Sequence, residues 1–210
     1  MHIADGVLSM PVLATGAALA AGGLAVGLRC LPWQRIMSVA LLSSAFFVAS
    51  LIHIRLGVGS AHLILNGLLG AVLGWASVPA IFTALLFQCL LFQFGGLTAL
   101  GVNTCILAGP ALLFGLLCRS WFRSSRYRSF AAFCCGALAV AGSAALGALA
   151  LLLSGEAFAA SAVALTIGHL PIMLIEGLIT AIVVNFLARA RPDLLSGGKL
   201  QPETLDRDLP

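Results

Sequence analysis

The 210-residue chain is 61% hydrophobic and only 9% charged, with a mean hydropathy of +1.11. Soluble domains carry about 25% charged residues, so a water-soluble globular protein is excluded; the length holds six or seven membrane spans of about 20 residues and little else. The net charge of +4 is then a question of loop placement and does not point to nucleic acid.

The first apolar run begins only after Asp5 and Gly6, with no basic segment or cleavable signal before it. A first span is predicted from about Leu8 to Leu28. Its small residues Ala14, Ala18 and Gly22, then Gly23 and Gly27, form a face that lets helix backbones approach closely in lipid, for internal packing or for docking another membrane subunit. A short basic loop from Arg29 to Arg35 carries the interfacial Trp33. The second span runs from about Ile36 to Ile54 and the third from Ala61 to Val78. The fourth follows a tight turn, from Pro79 to Phe94. Gly95 to Asn103 reads as a glycine-rich polar loop, and the fifth span extends to about Leu117. A second basic loop, Arg119 to Arg128, leads to a sixth span at Ser129–Leu153. Ser154 to Gly168 is a small-residue connection, and the last span is His169–Ala188. The expected architecture is an all-α, polytopic membrane protein of about seven transmembrane helices. Residues 1–190 make one integral membrane domain, and 191–210 a polar, disordered cytoplasmic tail.

Seven spans put the termini on opposite sides. Ten of the eleven Lys and Arg residues fall in the loops at 29–35 and 119–128 and in the tail from 189; Arg55 alone falls on the other side. By the positive-inside rule the tail is cytoplasmic and Met1 lies outside. Met1, His2, His62, the 95–103 loop and His169 then share the outer face, with His53 nearby.

The start of the chain carries a chelating pattern. The Met1 α-amine, the His2 amide nitrogen and the His2 Nδ1 close a five-membered and a six-membered ring on one cation. Three nitrogens in a plane suit Ni(II), Cu(II) or Co(II) better than tetrahedral Zn(II). The amine titrates near ~8 and imidazole near ~6.5, so a metal competes for both lone pairs. His62 is expected to open a helix capped by Ser60, one turn before Asn66 on the same face, as a ligand or a core residue. Gln88, Gln93, Thr98 and Asn103 can orient imidazoles or satisfy loop backbone at membrane depth. Glu176 is the only acidic residue well inside a span, with Thr180 or amide side chains as its available partners. It can attract a cation, accept a bond behind a ligand, or pack helices. The six cysteines lack CxxC spacing and read as small buried hydrophobes.

Met1-His-Ile-Ala-Asp-Gly-Val-Leu-Ser9, Ser60-Ala-His-Leu followed by Asn66-Gly-Leu, Phe94-Gly-Gly-Leu-Thr-Ala-Leu-Gly-Val-Asn103 and His169-Leu-Pro-Ile-Met-Leu-Ile-Glu-Gly-Leu-Ile-Thr180 together resemble the CbiM/NikM family. These are substrate-binding membrane components of energy-coupling-factor transporters for cobalt and nickel. The resemblance runs to about residue 190. It implies a near-planar nitrogen set from the Met1 amine, the His2 amide and imidazole, and the His62 imidazole. His169 is then expected near the site, behind the ligands, and Asp5, Ser60, Asn66, Gln93, Thr98, Asn103 and Glu176 complete the pocket. Ala4 stands where a proline is usual, and Thr104-Cys-Ile-Leu where a methionine is expected.

The resemblance implies a non-enzymatic role: capture of Co(II) or Ni(II), as transported substrate, at the outer face of the cell inner (cytoplasmic) membrane. No ATP site is present, since a P-loop is absent and the only lysine, Lys199, precedes Leu200. Partners are therefore implied: a membrane coupling subunit, cytoplasmic ATPases and a small accessory membrane protein. The alternatives are a stand-alone secondary divalent-metal permease, for which only Glu176 supplies a midplane ionisable group, and a membrane metalloenzyme, against which the missing His-Glu-x-x-His weighs.

Overall fold

The computed structural model describes residues 3–56 and 59–195. Among them run α1 (Met10–Arg29), α2 (Ile36–Ala49), a hairpin of β1 (His53–Leu56) and β2 (Gly59–His62), α3 (Asn66–Leu73), α4 (Ser77–Phe92), α5 (Leu100–Cys118), α6 (Arg128–Ser154), α7 (Ala159–Ala190) and the single turn α8 (Pro192–Leu195). Apart from that antiparallel hairpin the fold is helical, as composition demanded. With no water to satisfy backbone groups in hydrocarbon, a chain this apolar must close its hydrogen bonds within helices.

Five stretches are long and apolar enough to cross a membrane: Met10–Arg29, Asn66–Phe92, Leu100–Cys118, Arg128–Ser154 and Glu156–Ala190. Their outer faces are apolar. On α7, Leu170, Leu174, Leu178, Ile182 and Phe186 are all exposed at four-residue spacing, a lipid-facing stripe. The long helices alternate in direction. One end of the bundle gathers the arginines at the end of α1 and the starts of α2 and α6. The other gathers residues 3–9, the hairpin and the loop between α4 and α5.

Three spans differ from the sequence-based boundaries. The second stops at Ala49, short of Ile54, and His53–Leu56 pair as a strand instead. The last helix starts at Ala159 rather than His169, and at 32 residues it is about 48 Å long, so His169 lies roughly 15 Å inside it. The third span is broken. Residues 59–62 are strand, 63–65 are irregular, and α3 has only eight residues, about 12 Å of helix. Ser60 therefore does not cap a helix that His62 opens, and His62 and Asn66 do not share one. The physical reason lies at Leu65, whose left-handed φ of 54° halts any helix propagating from the hairpin. At its other end, Gly74 (φ 56°) and the turn Gly74–Ala76 reverse the chain into α4.

All eight residues of α3 are buried, threaded between α5 and α6. Close approach demands glycine there. A Cβ on Gly70 would stand 1.8 Å from the Ala111 carbonyl oxygen, and one on Gly115 2.3 Å from the Gly70 backbone. A hydrogen-bond acceptor meets the N-terminal end of this half-helix and a guanidinium its C-terminal end, the polarity its dipole favours. Glu176 accepts the backbone N–H groups of Ile64 and Leu65 ahead of the N-terminus, and Arg35 Nη2 donates to the Val72 carbonyl at the C-terminus, 2.8 Å. At the start of the expected polar tail, Leu195 of α8 is buried, and α8 packs on α3 and α7; residues beyond 195 lie outside the described part.

Candidate metal centre

Met1 and His2 lie outside the described residues, but the segment that follows them is fixed at several points. Asn103 Nδ2 donates to the Ile3 carbonyl at 3.0 Å, and the Ile3 N–H donates to Asn103 Oδ1 at 3.1 Å. The side-chain amide thus takes the place a neighbouring strand would occupy. Asn103 is buried and sits in the first turn of α5, where its own N–H reaches the Ala99 carbonyl; it belongs to the helix and not to the preceding loop. Ile3 and Leu8 are buried in the hydrophobic core.

Asp5 supplies a second tie. Thr98 Oγ1 donates to Asp5 Oδ1 at 2.5 Å, and the Ala99 N–H donates to the same oxygen at 3.2 Å. The Thr98 hydroxyl foremost, then the amides of Ala99, Thr98 and Leu97, hold the carboxyl below its ordinary value of 3.8, although some desolvation opposes them. Gly96 makes room: a Cβ there would fall 1.9–2.2 Å from the Asp5 carboxylate atoms. A third tie joins the Ser9 N–H to Ser154 Oγ at 3.1 Å. Gly96 and Ser154 were not legible as site residues, since neither shows its partner in the local sequence.

His62 ends β2, whose backbone register pairs it with His53, and β2 packs against α7. The His62 Nδ1 lies 2.9 Å from the Leu63 carbonyl oxygen, and the His169 Nδ1 lies 2.7 Å from the Leu165 carbonyl oxygen. A carbonyl only accepts, so each Nδ1 carries a proton; when the ring is neutral this leaves the lone pair on Nε2. That is the arrangement of a metal-binding imidazole whose second nitrogen is held by the protein. Ser60 lies in β2; its side chain is outside the described part.

Other expected pocket residues have different partners. Asn66 is fully buried in mid-bundle: its Nδ2 donates to the Leu107 carbonyl at 3.0 Å and to Ser143 Oγ at 2.9 Å, tying α3 to α5 and α6. Gln93 is exposed and, with φ 57°, forms the left-handed cap of α4. Gln88 Nε2 donates to Ser50 Oγ at 2.7 Å, joining α4 to the end of α2. Glu176 bonds not to Thr180 or to amide side chains but to backbone N–H groups of residues 64 and 65, with both carboxylate oxygens 2.9 Å from the Leu65 nitrogen. Thr180 Oγ1 is buried without a hydrogen-bond partner among the described residues. Those residues contain no group of three His, Cys, Asp or Glu able to hold a metal ion.

A lipid-facing helical bundle with a buried broken helix and a pinned leading segment at one end defines an integral membrane protein with its candidate site at that end. The model for "CbiM: Cobalt uptake substrate-specific transmembrane region" matches residues 2–194, and the chain belongs to this family of cobalt and nickel transport membrane components. It is 40% identical over 200 residues to a Haemophilus influenzae protein described as "Putative metal transport protein", covering 93% of this chain and 97% of that one. It is 32% identical over 221 residues to the "Cobalt transport protein CbiM" of Kyrpidia tusciae, covering 97% and 89% respectively. A crystal structure of a truncated transition metal transporter superposes with a TM-score of 0.75 at 25% identity, covering 90% of this chain and 99% of that one.

Proposed function

We propose that this chain is the substrate-binding component of an energy-coupling-factor transporter, capturing Co(II) or Ni(II) at the outer face of the cytoplasmic membrane. The ligands in this reading are the Met1 amine, the His2 amide and imidazole, and Nε2 of His62, with His169 behind them. The observation that carries it is the paired hydrogen bonding of Asn103 to both polar groups of Ile3. Consecutive Cα atoms are 3.8 Å apart, so residues 1 and 2 lie within about 8 Å of Ile3. Anchoring Ile3 in advance removes its share of the ordering entropy that metal capture would otherwise cost. The nitrogen set selects against Mg(II) and Ca(II), which prefer oxygen. Energy comes from partners: a membrane coupling subunit, cytoplasmic ATPases and an accessory membrane protein.

The test is titration of the purified chain with Ni(II) or Co(II), read by visible spectroscopy for a planar nitrogen set. Protein beginning at Met1 with its amine unblocked should bind tightly; one added residue before Met1 should abolish binding while membrane insertion persists. Equal affinity for both would overturn the chelate. Uptake in cells that persists without any ATPase partner would favour a secondary permease instead.

A further inference from the structure

Leu63 and Ile64 share one peptide plane, and both of its polar groups are engaged. Its carbonyl accepts from Nδ1 of His62 at 2.9 Å. Its N–H, on the opposite edge, donates to the Glu176 carboxylate, and the next N–H, of Leu65, lies 2.9 Å from each carboxylate oxygen. Residues 63–65 belong to no helix or strand, so no regular backbone ladder holds this plane. Glu176 comes from α7, 112 residues further along the chain, and is fully buried.

We infer that Glu176 is a positioning residue for metal capture, fixing through the Leu63–Ile64 peptide the orientation of His62 and the nitrogen it presents. This rests on the proposed role of His62 as a ligand. Three contacts on two adjacent N–H groups leave the peptide little freedom to rotate. Removing the carboxylate would orphan the buried Ile64 N–H and the part-buried Leu65 N–H. The segment would then relieve them by turning the plane, carrying the Leu63 carbonyl away from Nδ1 and releasing the proton to move to Nε2. A ring protonated at Nε2 cannot offer that nitrogen to a metal. The carboxylate itself need not touch the ion.

The test is a double-mutant cycle on the intact chain in detergent, with Ni(II) as the probe. Glu176→Ala should weaken Ni(II) affinity about 10–100-fold, the range for groups supporting a ligand, and shift the visible band. Glu176→Gln, whose amide oxygen still accepts one backbone N–H, should lose less. In a His62→Ala background, either Glu176 substitution should cause no further loss. Equal losses with and without His62 would show a general structural effect and overturn the inference, as would wild-type affinity in Glu176→Ala. If Glu176→Ala fails to fold, Glu176→Gln completes the same cycle under the same criteria. His62→Ala that binds like wild type would overturn the ligand reading and the inference together. Loss on His62→Ala with none from Glu176 would overturn the inference alone.

Discussion

Asn103 holds Ile3 as a neighbouring β-strand would, accepting from its N–H at 3.1 Å and donating to its carbonyl at 3.0 Å. One side chain on α5 therefore fixes the backbone immediately after the predicted chelate. Asn103→Ala should leave both Ile3 groups buried and unpaired, at about 1–3 kcal/mol each where water cannot enter. The expected outcome is a loss of about 10–100-fold in metal affinity, with helical content by circular dichroism unchanged. Asn103→Asp, which keeps the acceptor but loses the donor, should fall short of wild type as well. Wild-type affinity in both would remove Asn103 from the site.

Gly96 and Asp5 give a steric counterpart. Gly96→Ala places a methyl within 1.9–2.2 Å of the Asp5 carboxylate atoms, closer than any Cβ tolerates. Since Asp5 is exposed, it can swing outward at small cost, so the fold should survive while Thr98 and Ala99 lose their shared acceptor. Metal affinity should drop, and Asp5→Ala should reproduce the drop; combining the two should add nothing, because both remove the same tie. Isothermal titration of the three variants checks this.

The pH dependence separates that tie from the proposed ligands. The Asp5 carboxyl is held below its ordinary value of 3.8, chiefly by Thr98. A depressed folded-state value means the tie is fully present above the ordinary value and lost only as pH falls through the lower, folded one. Nitrogen ligands lose metal much earlier, since the amine and imidazoles take up protons between about pH 8 and 6. Metal affinity should therefore fall between about pH 8 and 6 with the same midpoint in wild type and in Asp5→Asn. A midpoint moved by Asp5→Asn would contradict this assignment.

How far the sequence led depends on where each partner lies. α1, α5 and α6 follow from unbroken apolar runs, and their observed limits depart from the expected ones by a few residues. Asp5, Thr98 and Asn103 were legible as a polar cluster at one end of the bundle because polar residues are sparse enough there to stand out. The break in the third span was not. Leu63, Ile64 and Leu65 are as apolar as the helix that follows them, and nothing in a leucine announces the left-handed φ of 54° at Leu65. The partners of Glu176 were hidden for a related reason: they are backbone N–H groups, which every residue except proline carries, exposed only because α3 starts late. A carboxylate inside a span advertises that something compensates it without saying what.

Thr180 lies one helical turn beyond Glu176 and was one of its expected partners, but its buried hydroxyl has no hydrogen bond among the described residues. Thr180→Val is nearly isosteric and removes an unsatisfied polar group, so thermal stability in detergent should hold or rise by up to about 1–3 kcal/mol. Ni(II) affinity should stay within about twofold of wild type, since each 1.4 kcal/mol is worth tenfold and no bond to the site is lost. Gly136→Ala tests the same spot from α6. Its Cβ would meet Thr180 Oγ1 at 2.5 Å and the Glu176 carbonyl at 2.6 Å, and the latter is backbone that cannot step aside. Overpacking of this kind costs about 1–3 kcal/mol or more, so the variant should melt earlier than wild type. Thr180→Ala, which removes the Oγ1 contact, should restore little of that loss, because the carbonyl clash remains. Recovery in the double variant, measured by thermal melting, would show that Thr180 rather than the α7 backbone sets the approach of α6.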